Sequence, residues 1–172
     1  MTLTEVNGSS FGPTIKDQLD EERATKNSLE GRGIGIVTSS GALATLLFGL
    51  VAFTRGTNNQ LHWNIGTPAK YALVASVVLF AVAALLGLAA NFPGGYPEAD
   101  PERLKERVDP DEWVKPDPIE AARRDAVLNV NIIKGARLIN AKKAKAVRWG
   151  IAAEAVATVG VALAVVFEIL GF

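Results

Sequence analysis

The sequence has no cysteine and a single histidine, His62. Without cysteine there are no disulfides, no thiolate nucleophile and no cysteine-built metal site. A lone histidine excludes a His-paired one, so no metal is expected. His62 stands beside Trp63 in "HWN", and the pair reads as residues at the level of lipid headgroups. Charge is also missing, over long stretches rather than overall. The formal net charge is zero, yet no charged residue lies between Arg32 and Arg55 or between Lys70 and Glu98. After Arg148 only Glu154 and Glu168 carry charge.

Nucleotide-binding glycine loops are absent too. "GRGIGIVTSSGALATLLFGL", residues 31–50, opens with glycines at alternate positions. The dinucleotide fingerprint G-x-G-x-x-G fails at its third glycine: Ile36 or Thr38 falls there. A strand should precede it, but the preceding text is polar and helix-forming. No Gly-Lys-Ser/Thr follows, which excludes a phosphate loop.

What is present is apolar length. A hydrocarbon core roughly 30 Å thick needs about 20 apolar residues in a helix. Residues 33–54, 71–90 and 149–170 each supply such a run. The expectation is an all-α membrane protein with three transmembrane helices. The first run starts too late, and behind too charged a segment, to be a secretory signal. Arg23, Lys26 and Arg32 precede the first span; Arg137, Lys142, Lys143, Lys145 and Arg148 precede the third. The loop over 55–70 has only Arg55 and Lys70. Bases favour the cytoplasmic side, so the N-terminus is expected inside and the C-terminus outside.

The segments between the spans divide by composition. Residues 1–13 read as a disordered tail ending at Pro13. Residues 14–32 read as an acidic juxtamembrane helix, with Thr14 and Asp17 as its start signal. Residues 91–117 form a cytoplasmic linker rich in proline. Asp117, Pro118 and Glu120 then mark a helix start, and no proline interrupts the text from there to Leu170. One helix of roughly 50 residues is expected, its first part (118–148) basic and cytoplasmic, its second part the last span. Within span one, Gly33, Gly41, Thr45 and Gly49 recur at multiples of four and put small residues on one face. Such faces let helix backbones approach closely in lipid, with Gly31 to Gly35 as packing residues and a hinge.

The basic helix has a patterned face. From Ala126 to Ala153 there are six bases and no acid. At 100° per residue, Arg123, Lys134, Arg137, Lys145 and Arg148 fall within about 80° of arc. Leu128, Ile132, Ile133, Ala136, Ile139, Ala146 and Val147 lie opposite. Three readings are open: a solvated positive-inside flank, pairing with the acidic segment 17–30, or a site for an anionic ligand such as a cyclic phosphate. Catalysis is not expected. Glu154 and Glu168 stand roughly 21 Å apart along a helix, and no nucleophile–base motif exists. Glu154 lies inside the third span, where a carboxylate is costly and points to a role. The other reading is a shallow residue reaching for the interface.

Two runs carry a resemblance. "E-x-x-x-K-x-S-L-E-x-R-G" occupies Glu22 to Gly33, directly ahead of span one. "LNVNIIKGARLINAKKAK", residues 128–145, leads into the last span. In this layout the chain resembles the small transmembrane effectors of the Pycsar anti-phage systems. The resemblance implies a cell inner membrane protein, multi-pass and oligomeric, paired with a nucleotide cyclase through its product. A cyclic pyrimidine nucleotide (cyclic UMP or cyclic CMP) would activate it to impair the membrane and cause abortive infection. Its partners would be the lipid bilayer and further copies of itself; no resident cofactor and no nucleic acid is expected. Rival readings are a constitutive membrane scaffold and a small transporter or channel using Glu154.

Overall fold

The computed structural model describes residues 4–56, 66–93, 95 and 118–170, with side chains over 12–49, 66–93, 95 and 119–170. Every regular element among them is helical: α1 is Thr4–Gly56, α2 is Thr67–Asn91 and α3 is Pro118–Leu170. Each is long and apolar enough to cross a membrane. α1 and α3 have 53 residues apiece, or about 80 Å at 1.5 Å per residue. The expected single helix from Pro118 to Leu170 is therefore there. His62, Trp63, most of the 55–70 loop and most of the 91–117 linker lie outside the described residues.

One local expectation is corrected. The helix does not start at Thr14 after a disordered tail; α1 begins at Thr4 and passes through Pro13. Proline removes one backbone donor and disturbs one carbonyl, whereas extending an existing helix needs no new nucleus. α1 runs unbroken through the glycines at 31, 33 and 35. Each glycine costs about 1 kcal/mol relative to alanine inside a helix. At Gly33 the position is held from outside, as the contacts of α2 show.

The chain divides into two compact units, Met1–Ser28 with Pro93–Lys142 and Leu29–Phe92 with Lys143–Phe172. In the first unit α1 and α3 run parallel, because Arg137 meets Gln18 and Glu22, and Asn140 meets Glu22. The seam on α3 buries Ile133, Ala136 and Asn140. On α1 the half-buried positions include Ile15, Leu19, Glu22 and Lys26. Steps of three and four keep one stripe facing the partner.

In the second unit all three helices meet. α2 buries Ala69, Ser76, Phe80, Ala83, Gly87 and Ala90. α1 contributes Gly33, Ile36 and Ser40, and α3 contributes Val147, Gly150, Ala157 and Ala164. Ile36, Ala83, Ala90 and Val147 form one contiguous apolar cluster. α2 is antiparallel to the other two: Gly33 lies against Gly87 and Asn91, and Gly160 lies against Ser76 and Ala72. The interior is built of small residues with Phe80 as the one bulky exception among the fully buried side chains. Large apolar residues face outward, among them Phe48, Tyr71, Leu85, Val159 and Ile169.

Candidate functional site

Glycine creates the closest contacts of the second unit. A Cβ added to Gly33 would stand 2.5 Å from Asn91 Nδ2 and 2.8 Å from the Gly87 carbonyl oxygen. One on Gly87 would stand 2.7 Å from the Gly33 carbonyl oxygen. Neither fits without a shift of backbone. Asn91 Nδ2 also donates to the Gly87 carbonyl at 3.0 Å, which ties the end of α2 to this crossing. Gly150 packs on Ile36 and Ala83, and Gly160 on Ser76. By contrast Gly41 and Gly49 have open space where a side chain would go, and Thr45 is exposed, its hydroxyl donating to the Gly41 carbonyl at 2.8 Å. Of the expected small-residue face, Gly33 packs within the chain; Gly41, Thr45 and Gly49 are turned outward.

The polar contacts concentrate where the acidic part of α1 meets the basic part of α3. In the first unit Arg137 Nε donates to Glu22 Oε1 at 2.8 Å, and Arg137 Nη2 donates to Gln18 Oε1 at 2.6 Å. Asn140 Nδ2 donates to Glu22 Oε2 at 2.9 Å and to the Glu22 carbonyl at 3.1 Å. Both oxygens of Glu22 are thus engaged, and its side chain is only 15% exposed. In the second unit Lys143 Nζ donates to Glu30 Oε1 at 2.5 Å. The Lys143 side chain is 5% exposed, so a charge is buried and paired. Arg23 with Asp20 and Arg124 with Glu120 make local pairs along single helices.

All five residues of the basic face, Arg123, Lys134, Arg137, Lys145 and Arg148, are exposed on α3. Arg123, Lys134 and Arg137 belong to the first unit, Lys145 and Arg148 to the second. Lys134 and Arg137 are one turn apart, about 4.5 Å by helix rise, close enough to share one phosphate group. Of the five, Arg137 is the one engaged by an acid across the helices.

Glu154 is half-buried on α3, and Thr158 Oγ1 donates to its backbone carbonyl at 2.9 Å. Ser40, fully buried on α1, leaves its hydroxyl without a hydrogen-bond partner. Glu168 reaches another helix: its Oε2 accepts from the Gly66 N–H at 3.4 Å, placing an anion at the start of α2 where the helix dipole favours one. No group of three or more His, Asp or Glu suited to a metal occurs among the described residues.

No known family model, curated protein or solved structure matches this chain.

Reading the sequence singled out Arg137 and Gly33 and offered pairing with the acidic segment 17–30, without matching Glu22 to Arg137 and Asn140 or Glu30 to Lys143. It also missed Gly87, Gly150 and Gly160. The signal existed. Positions 15, 19, 22, 26, 29, 33, 36 and 40 of α1, and 133, 136, 140, 143, 147 and 150 of α3, alternate steps of four and three. That seven-residue repeat marks a contact seam even where its members are charged.

Proposed function

We propose that the chain is a multi-pass inner-membrane effector of anti-phage defence, triggered by a cyclic pyrimidine nucleotide made by a partner cyclase. Insertion in lipid is supported by the distribution of side-chain size in the second unit. Apolar residues as large as Phe48, Tyr71 and Leu85 face outward while glycine, alanine and serine face inward. Exposed apolar faces on three helices are a liability in water; lipid tails remove the penalty and reward close backbone contact. The N-terminus and the basic part of α3 are then cytoplasmic, by the placement of the bases.

The observation that carries the sensing reading is the single unbroken helix. α3 bears Lys134 and Arg137 on an exposed face and continues as its own membrane span. A phosphate bound there needs no intermediary to act on the span. Ligand acts only through differential affinity for two states, and further copies of the chain in an oligomer would supply the second state. Calorimetry with cyclic UMP and cyclic CMP on the purified protein tests this. Binding by wild type, lost in Arg137→Glu, is the expected result. Absence of binding to wild type would overturn it.

A constitutive scaffold is the second reading, and one observation favours it: Glu22 already pairs with Arg137, and Glu30 with Lys143, with no ligand needed. A scaffold would assemble and persist regardless of nucleotide.

A further inference from the structure

We propose that Glu22 is a built-in competitor for an anion held through Nε of Arg137, so that ligand capture at this edge and the Glu22–Arg137 pairing of α1 with α3 in the first unit exclude one another. The inference rests on the sensing reading above and concerns how that site is gated.

Hydrogen counting carries it. Arg137 Nε has one hydrogen and gives it to Glu22. The edge formed by Nε and Nη2 is one of the two guanidinium edges that hold a carboxylate or phosphate at two points, and Gln18 takes Nη2 on the same side chain. Asn140 reinforces the arrangement by directing Nδ2 to both the carboxylate and the backbone of Glu22. A phosphate arriving at this edge therefore meets a full set of partners and a like charge beside it. Two-point binding through Nε begins only when Glu22 leaves. Because Glu22 belongs to α1 and Arg137 to α3, its departure removes the carboxylate contacts that join the two helices at this level. Linkage makes the effect reciprocal: whatever factor the pair takes from ligand affinity, ligand takes from the pair.

The absence of native cysteine allows a direct test. Spin labels placed through Glu21→Cys and Leu138→Cys occupy exposed positions on the two helices. The full-length protein in lipid nanodiscs is titrated with cyclic UMP, cyclic CMP and inorganic pyrophosphate, with calorimetry and label–label distance read in parallel. Glu22→Gln removes the competing charge while keeping the shape. It should bind about ten-fold or more tightly than wild type, on the scale of a charged hydrogen bond. Saturating ligand should broaden and lengthen the label distance in wild type. Arg137→Gln should lose both responses. Gln18→Ala should tighten binding in the same direction by a smaller factor, which serves if Glu22→Gln fails to fold.

Equal affinities of wild type and Glu22→Gln, or a label distance unmoved at saturation, would overturn the competition and leave nucleotide sensing standing. Pyrophosphate binding enhanced by Glu22→Gln, with neither nucleotide bound, would support the competition and remove the nucleotide reading. Binding of none of the three probes by either protein overturns both.

Discussion

The two units hold their helices together by different means. In the first unit α1 and α3 meet through long polar side chains, Gln18 and Glu22 against Arg137 and Asn140. In the second unit α2 joins them and meets them through the lack of side chains, at Gly33, Gly87, Gly150 and Gly160, while α1 and α3 keep an ion pair, Lys143 with Glu30. Under the proposed insertion of the second unit in lipid, the difference is physical. Between water-exposed helices a charged pair adds little net stability, because both partners are well solvated when apart. It does fix which residues face which, as buried polar positions do in coiled coils. Between helices in lipid there is no hydrophobic force to press them together, so contact depends on closely fitted surfaces. Glycine fits closest, and a misplaced methyl group is felt at once.

The largest effect that would break this contrast lies at the glycine crossing. Gly87→Val places branched carbon against the Gly33 carbonyl and the Val37 side chain. It should destabilise the protein by about 3 kcal/mol or more, the upper range for overpacking. Loss of helical signal on titration with a denaturing detergent measures it. A cost below about 1 kcal/mol would mean that the crossing is loosely packed.

Next comes the buried pair. Glu30→Ala leaves Lys143, with its side chain 5% exposed, short of its carboxylate. The expected loss is about 2 kcal/mol, below that of a fully orphaned buried charge, since Lys143 has a further interaction. Lys143→Met removes the charge with the need for a partner and should stay within about 1 kcal/mol of wild type. The same detergent titration compares the two. Should Lys143→Met cost more than Glu30→Ala, the pair is a source of stability rather than a matched burden.

The smallest effect sharpens the contrast instead of breaking it. Gly41→Leu meets open space and should change the stability of the single chain by less than about 0.5 kcal/mol. Gly41, Thr45 and Gly49 lie on an outward face, which under the proposed oligomeric reading is the contact between copies. Crosslinking in membranes should therefore show fewer multimers for Gly41→Leu at unchanged helical content. Unchanged multimers would place this face against lipid.

Legibility followed the strength of the local signal. The three apolar helices could be read directly, because uncharged runs of that length have few alternatives. The extent of α3 was readable from Asp117, Pro118 and the lack of later proline. Which small residues pack was not. Gly41 and Gly49 share the four-residue spacing of Gly33, yet only Gly33 meets another helix within the chain; spacing names a face and leaves its neighbour unnamed. Gly87 and Gly160 are isolated on their own helices and acquire meaning through Gly33 and Ser76, which are remote in sequence. At the candidate site, Arg137 was legible as part of a basic face. Its partner was visible only as one acid among several in residues 17–30, because a helix face does not disclose which turn of another helix lies beside it.

Trp149 gives the molecule an optical consequence. It follows Arg148 directly, and its ring is turned away from the core while Val147 and Gly150 on either side are buried. Its emission therefore registers what surrounds the protein more than how the protein is packed. With Trp63 and Trp113 replaced by phenylalanine, the remaining indole becomes a gauge of immersion. Blue-shifted light quenched by brominated acyl chains would mark it as lying within the bilayer boundary. A change in that quenching on adding nucleotide would record movement of α3 around Trp149.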